Sequence, residues 1–338
     1  MNVLVTGGGG FLGQYIVEQL VARGDTVTSY SRSTYESLAR LGVKQIAGDM
    51  RDRPSVMSAI RGNAAVIHTA AVASIWGPWE WFYGINTLGT RYVLEGCRQR
   101  GVSKLVYTSS PSVTFEGMDQ RGIDESAPYP KTFLCHYPAT KAIAEQEVLA
   151  ASGKDGLSTC ALRPHLIWGP RDQHLIPRLI ARAKAGALRR VGAGQNRVDT
   201  IYVENAASAH LQALDRLSEQ SPVAGRAYFL SQGEPVNCWE WIDQILAMAA
   251  LSPVQRSISA KGAYLAGGAL EAMWAVFGLD SEPRMTRFLA AQLATDHYFD
   301  LGRARADFGY APKITMQEGM RRLGEWLVRQ TLKKNPAH

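Results

Sequence analysis

The 338-residue chain has only four cysteines, Cys97, Cys135, Cys160 and Cys238, with no Cys-x-x-Cys spacing. That pattern excludes a disulfide framework and a cysteine-rich zinc site, and it fits a reducing cytosol. No low-complexity tract or tandem repeat is present, which excludes a solenoid or propeller. The N-terminus lacks a basic stretch followed by an apolar run, so no secretory signal is expected. Aromatic residues do not interleave with the basic ones, which argues against nucleic acid as a partner. No metal site is expected either.

What is present is ordinary globular composition, 46% hydrophobic and 20% charged, in a chain long enough to bury a large core. The net charge is +7. Much of the excess lies at Arg178, Arg182, Lys184, Arg189, Arg190 and Arg197, and in the tail at Lys333 and Lys334. The first expectation is a solvated helix face and a soluble tail. A phosphate or carboxylate ligand, or an acidic protein partner, is the sharper alternative.

Short apolar runs alternate with amphipathic stretches through the first half. Strands are predicted at Val3 to Val5, Thr26 to Tyr30, Lys44 to Ala47, Ala65 to His68, Leu105 to Thr108 and Ser158 to Leu162. Helices are predicted over 11–23, 53–61, 79–100 and 137–151. This rhythm predicts an α/β fold, a Rossmann-type doubly wound parallel sheet that binds its ligand at the carboxyl ends of the strands. Beyond residue 165 prolines break the rhythm. Helical patterns follow near 174–186, 204–217, 238–250, 262–278 and 315–331. The expected organisation is a dinucleotide-binding domain over 1–165, to which 195–215 returns, and a smaller, mostly helical substrate lobe over 166–338. Asp199 to Val203 reads as a further buried strand.

Gly7, Gly10 and Gly13 make a Gly-x-x-Gly-x-x-Gly turn between the first strand and first helix. Glycine permits a tight turn and close backbone approach to a pyrophosphate, and the helix N-terminus offers free N–H groups. Dinucleotide sites selective for NAD commonly carry an acid at the end of the second strand. Here that segment is Ser29-Tyr30-Ser31-Arg32-Ser33. Arg32 can pair with a 2′-phosphate and Ser31 can donate to it, so NADP(H) is the expected cofactor. Asp49 is expected either to accept from the adenine amino group or to cap the next turn.

Tyr137 and Lys141 are four residues apart at the start of a predicted helix and so share a face. An ammonium beside the phenol is expected to lower its pKa, letting Tyr137 exchange a proton with a substrate oxygen. Ser110, after the fifth strand, is expected to polarise the same oxygen, with Ser109 as its competitor.

Thr6–Gly13, Tyr107–Ser110 and Tyr137–Lys141 together resemble the extended short-chain dehydrogenase/reductase family. The likeness continues at Asn86 in Asn-x-x-Gly-Thr, at Leu162-Arg163-Pro164 and at Asp199-x-x-Tyr202-Val203-x-Asn205. Within it, Leu162–Pro170 and Met285–Leu289 resemble the 3β-hydroxysteroid dehydrogenase-type branch, and in particular its reductases of bacterial long-chain olefin biosynthesis. The resemblance implies Ser110, Tyr137 and Lys141 as catalytic residues. It implies cofactor contacts at Gly7, Gly10, Phe11, Leu12, Gly13, Ser31, Arg32, Asp49, Met50, Ala70, Ala71, Asn86, Tyr137, Lys141 and Pro164. It further implies a homodimer and NADPH-dependent reduction of a long-chain 2-alkyl-3-oxoalkanoic acid to the 3-hydroxy acid. A 3β-hydroxysteroid or sterol-4α-carboxylate dehydrogenase is the alternative within the fold. A non-catalytic NADP-sensing binding protein is the alternative of another class, and the intact Tyr–Lys–Ser set argues against it.

Residues 262–279 are apolar but carry glycines and Glu271. A soluble lobe helix is the first expectation, and docking to a membrane surface, a long-chain substrate or a partner enzyme the second; a true span is the least favoured. The expected location is cytoplasmic, with a peripheral membrane position or a multienzyme assembly left open by this segment. Trp76, Trp79, Trp81 and Phe82 form another apolar cluster, either core or the floor of an alkyl-chain pocket.

Overall fold

In a computed structural model the chain is described over residues 1–334, leaving aside the side chains of 331–334, so the basic tail at Lys333 and Lys334 lies outside the described side chains. Seven strands form the central sheet: β1 (Asn2–Thr6), β2 (Thr26–Ser31), β3 (Lys44–Ala47), β4 (Ala65–His68), β5 (Lys104–Thr108), β6 (Ser158–Pro164) and β7 (Ala227–Leu230). Their spatial order is β7-β6-β5-β4-β1-β2-β3, and every pairing is parallel. The order reverses between β1 and β4. In a doubly wound sheet that reversal opens a crevice at the strands' carboxyl ends.

Alternation along the strands divides the core into two layers. Val3, Val5, Ile67, Val106 and Leu162 face one side, and Leu4, Val66, Leu105 and Ala161 the other, all fully buried. Burying one such side chain contributes about 1.5–3 kcal/mol. The first layer is covered by α1 (Phe11–Ala22), through Ile16 and Leu20, and by a later helix. The second is covered by α2 (Arg53–Ile60), α3 (Gly89–Arg100) and α4 (His136–Ala150), through Val56, Val93 and Val148. Both faces are apolar because both are covered, and so these strands read as continuous hydrophobic runs.

The helix expected over 79–100 is not uniform. A single α-turn, Trp79–Phe82, leads into a π-helical stretch, Tyr83–Leu88, before α3 begins. One extra residue per turn re-aims side chains, and such stretches recur at functional sites. The strand expected at Asp199 to Val203 is also largely replaced. Only Ile201–Tyr202 is extended, paired with Ile167–Trp168 outside the main sheet, and Val203 starts α5 (Val203–Arg216). α5 is the second cover of the first layer, through Ala206 and Leu214, and β7 completes the sheet edge.

The rest of the chain forms its own apolar cluster around Trp168, Trp239, Trp241, Ile245 and Leu323. A four-stranded sheet orders Val236–Asn237, Arg197–Val198, His297–Phe299 and Gln120–Ile123, bringing His297 opposite Gln120. The apolar segment becomes α6 (Ala260–Val276), which packs on α7 (Arg287–Ala294). Gly267 allows this approach, since a Cβ there would lie 2.6 Å from the Thr286 carbonyl carbon. Among the described residues no helix is long and apolar enough to cross a membrane.

Candidate active site

The glycine turn is shaped for close backbone contact. Gly7 has φ +72° and donates to Tyr30 O at 2.7 Å, while Gly10 N–H closes on Gly7 O at 2.8 Å. A Cβ on Gly13 would lie 2.1 Å from Gly7 O, so only glycine lets the first helical turn nest against the loop. Helix α1 starts at Gly10 with no side-chain cap, leaving its first N–H groups at Phe11 and Leu12 without a capping side chain. That cradle fits a dinucleotide pyrophosphate. Ala70 closes its other wall; a Cβ on Gly7 would be 2.8 Å from Ala70 N. Ala71 is exposed beside it.

At the end of β2, Ser31 Oγ accepts from Gly9 N at 3.0 Å and so holds the turn, keeping its own proton to donate. Arg32 is exposed. Asp49 takes the second of its two expected roles and caps the next turn, with Asp52 N also closing on Asp49 O at 3.0 Å. Its carboxylate takes Arg51 N at 2.8 Å, Nε at 3.0 Å and Nη2 at 2.7 Å. Arg51 holds Asp49 below the usual carboxylate range, with a contribution from Arg32. The cap of the next helix is Asp52, which accepts from Ser55 N. Met50 is buried beneath Gly89, whose Cβ would meet it at 2.9 Å. Arg51 and Tyr35, whose ring occupies the space a Gly9 Cβ would need, were missed in the sequence because only the tertiary turn brings them here.

A buried polar chain ties β1 to the catalytic helix. Thr6 Oγ1 and His68 Nδ1 lie 2.6 Å apart, and His68 Nε2 and Thr90 Oγ1 2.9 Å apart. Thr90 Oγ1 donates to Asn86 O at 2.6 Å. Burial drives the His68 pKa down to about 3, so the relay is neutral. Asn86, in the π-helical stretch, accepts from Val72 N at 2.8 Å and donates to Val72 O and to Thr140 Oγ1, each at 3.1 Å. It therefore fixes the loop after β4 against α4, the helix that carries Tyr137 and Lys141.

Lys141 is 2% exposed. Its Nζ donates to Thr108 O at 2.6 Å and sits 4.0 Å above the Tyr107 ring. Burial lowers its pKa to about 7, opposed by Glu145 one turn further on. The expected depression of Tyr137 is not found. Burial raises the phenol, and Ser110 opposes that rise by hydrogen bonding. The phenol is therefore held protonated, because desolvation outweighs the neighbouring groups. Ser110 rather than Ser109 meets Tyr137. Ser109 is buried with its hydroxyl unpartnered, whereas Ser110 caps the turn at Pro111–Thr114 and lies 2.8 Å from Ser112 Oγ.

Ser110 and Tyr137 open into a cavity of about 160 Å³, also lined by Pro164, His165, Leu166, Gln120, Phe288, Gln292 and His297. Pro164 to Leu166 belong to a stretch already singled out in the sequence. Gln120, Gln292 and His297 carry no local signal, since strand pairing and α7 bring them in from distant segments. The tryptophan cluster does not line this cavity. Phe82 is core, Trp79 stacks on Tyr83, and Trp76 Nε1 donates to Leu279 O at 3.2 Å. Several of the basic residues are spent on partners: Arg178 pairs with Glu282, and Arg190 with Asp243 at 2.5 Å.

A parallel sheet with a glycine-turn cradle at its switch point, and a Tyr–Lys–Ser group at the same edge, defines an extended short-chain dehydrogenase/reductase, an oxidoreductase acting on CH–OH and C=O groups. Residues 4–257 match the model of the 3-beta hydroxysteroid dehydrogenase/isomerase family, and the chain belongs to that family. It is 48% identical to the 2-alkyl-3-oxoalkanoate reductase of Stenotrophomonas maltophilia, over 96% of this chain and 98% of that one. It is 35% identical to the decarboxylating sterol-4-alpha-carboxylate 3-dehydrogenase of Mus musculus, over 94% and 88%. Among solved structures, the Thermus thermophilus UDP-glucose 4-epimerase complex with NAD superposes with a TM-score of 0.75 at 26% identity, over 97% and 99%.

Proposed function

We propose that this chain reduces the 3-oxo group of a 2-alkyl-3-oxoalkanoic acid to the hydroxyl, with NADPH as donor, in a pathway that makes long-chain olefins. The observation that carries the reading is Tyr137 beside Ser110 at the mouth of a small cavity. A carbonyl reduction needs an acid at the oxygen, and a phenol raised by burial is in its acid form at neutral pH. The similarity to a 2-alkyl-3-oxoalkanoate reductase over nearly the whole length of both chains supports the substrate class.

Reduced nicotinamide, when bound, supplies hydride to the carbonyl carbon. Gly7, Gly10, Phe11, Leu12 and Gly13 would hold its pyrophosphate. Arg32 and Ser31 would hold a 2′-phosphate, since the end of β2 carries no acid. Ser110 orients the carbonyl oxygen and Tyr137 gives it a proton. Lys141, fixed by Thr108 O, sits one turn below Tyr137 on α4, where it would meet the nicotinamide ribose and help restore the phenol's proton. Residues 166–338, apart from α5 and β7, serve as the substrate lobe, and the chain works as a homodimer.

The test is oxidation of NADPH or NADH by a long-chain 2-alkyl-3-oxo acid, with the reverse reaction on the hydroxy acid and on a 3β-hydroxysterol 4-carboxylate. Turnover of the sterol acid with NAD and none of the alkyl acid would replace this reading by the sterol dehydrogenase. Dinucleotide binding without any turnover would favour a cofactor sensor.

A further inference from the structure

The cavity beside Ser110 and Tyr137 also touches two histidines that the proton transfer does not use. Its volume of about 160 Å³ is well below the roughly 300–1,000 Å³ of pockets that enclose a drug-sized ligand. A 2-alkyl-3-oxo acid carries two long alkyl chains and one carboxyl group around the reacting carbon pair. Only the carboxyl group is both small and polar. His165, His297, Gln120 and Gln292 put polar groups into walls that are otherwise mostly apolar, with Pro111, Pro164, Leu166 and Phe288, and none of its lining residues is a lysine or arginine. A bare carboxylate enclosed there would be uncompensated, at a cost of several kcal/mol, unless a proton accompanies it.

His165 Nδ1 lies 2.6 Å from the Asp199 carbonyl oxygen. A carbonyl only accepts, so Nδ1 carries the ring hydrogen and Nε2 keeps a lone pair. Resting on the reductase reading, we infer that His165 forms the subsite for the substrate's carboxyl group, that its Nε2 shares one proton with it, and that both alkyl chains lie outside this cavity. The groups around His165 are few. The His297 ring, 5.8 Å away, has its Nε2 2.9 Å from Thr295 Oγ1, and the Phe299 ring is 5.2 Å away. Asp199 turns its main-chain oxygen to His165, while its carboxylate accepts from Phe299 N. Arg163 is committed to Glu145 at 2.5 Å. Burial holds both histidines neutral, His165 near 4 and His297 near 3, so the proton arrives with the acid and is not stored beforehand.

The test uses the full chain with NADPH bound and two chemically stable ligands: a 2-alkyl-3-hydroxy acid and the matching secondary alcohol without the carboxyl group. Calorimetry at pH 7 in two buffers of different ionisation enthalpy reads proton uptake. About one proton is expected for the acid and none for the alcohol. His165→Asn keeps an amide donor toward Asp199 O but loses Nε2. It is expected to lose the uptake and to lower the acid-to-alcohol ratio of kcat/KM about tenfold or more. No uptake by the unaltered protein, or an unchanged acid-to-alcohol ratio of kcat/KM in His165→Asn, would overturn the subsite. Absence of turnover with both compounds and both cofactors would instead overturn the reductase reading and the inference with it.

Discussion

Replacing Gly13 by alanine is the sharpest test of the cofactor cradle. The added Cβ would stand 2.1 Å from Gly7 O and 2.8 Å from both Gly7 C and Gly8 Cα, all backbone atoms that cannot rotate away. Ordinary contact begins at 3.4 Å, so α1 and the turn must separate by about an ångström, and overpacking of this kind typically costs about 1–3 kcal/mol. The clash lies within the folded chain itself, so this cost is expected as lost stability, and the shifted turn is expected to weaken NADPH binding as well. Gly10→Ala provides the graded comparison. Its Cβ would meet only Gly7 O, at 3.2 Å, on an exposed residue. Fluorescence titration with NADPH and a urea midpoint would be read on both variants. Gly13→Ala should lose both affinity and stability, whereas Gly10→Ala should lose affinity and keep its midpoint. A Gly13→Ala protein that binds NADPH as tightly as its parent would refute the claim that this nesting shapes the site.

Tyr137→Phe should lower turnover by about 10²–10⁴-fold and leave NADPH affinity nearly unchanged; retained turnover would remove Tyr137 as the proton donor. Arg32→Asp should shift the NADPH-to-NADH ratio of kcat/KM toward NADH, and a constant ratio would show that Arg32 does not read the 2′-phosphate. Arg163→Leu strands Glu145, which is 0% exposed, and should cost about 3–5 kcal/mol in urea unfolding; adding Glu145→Gln should recover most of it. Asp199 is fully buried with Oδ1 unpartnered, and burial raises its pKa to about 6 from 3.8. A raised folded pKa gives stability that is present below the unfolded value and lost as pH rises through the folded one, here about 3 kcal/mol between pH 4 and 6. The stability difference between Asp199→Asn and the parent should change by this amount across that window, and a constant difference would contradict it.

The sheet was legible because each of its first six strands is a short apolar run between helical stretches, and the glycine turn was legible because its spacing is local. The seventh strand, Ala227–Leu230, was not, since it enters after a long detour through the lobe and nothing nearby in sequence marks its partner. Tyr137 and Lys141 share a helix face at four-residue spacing and could be paired on the page. Asn86 could be named, but its bridge from Val72 to Thr140 depends on a π-helical stretch within a pattern that reads as plain α-helix.

The sequence by itself determined the fold class, the cradle and the Tyr–Lys pair, because periodicity, glycine spacing and helical register are properties of neighbouring residues. Only the tertiary structure decided the burial of that pair and the walls of the cavity. Burial, which no linear pattern measures, raises Tyr137 and brings Lys141 to about 7, reversing the direction expected from the ammonium alone. His165, Gln120, Gln292 and His297 meet because a small mixed sheet and α7 converge on the carboxyl edge of the main one.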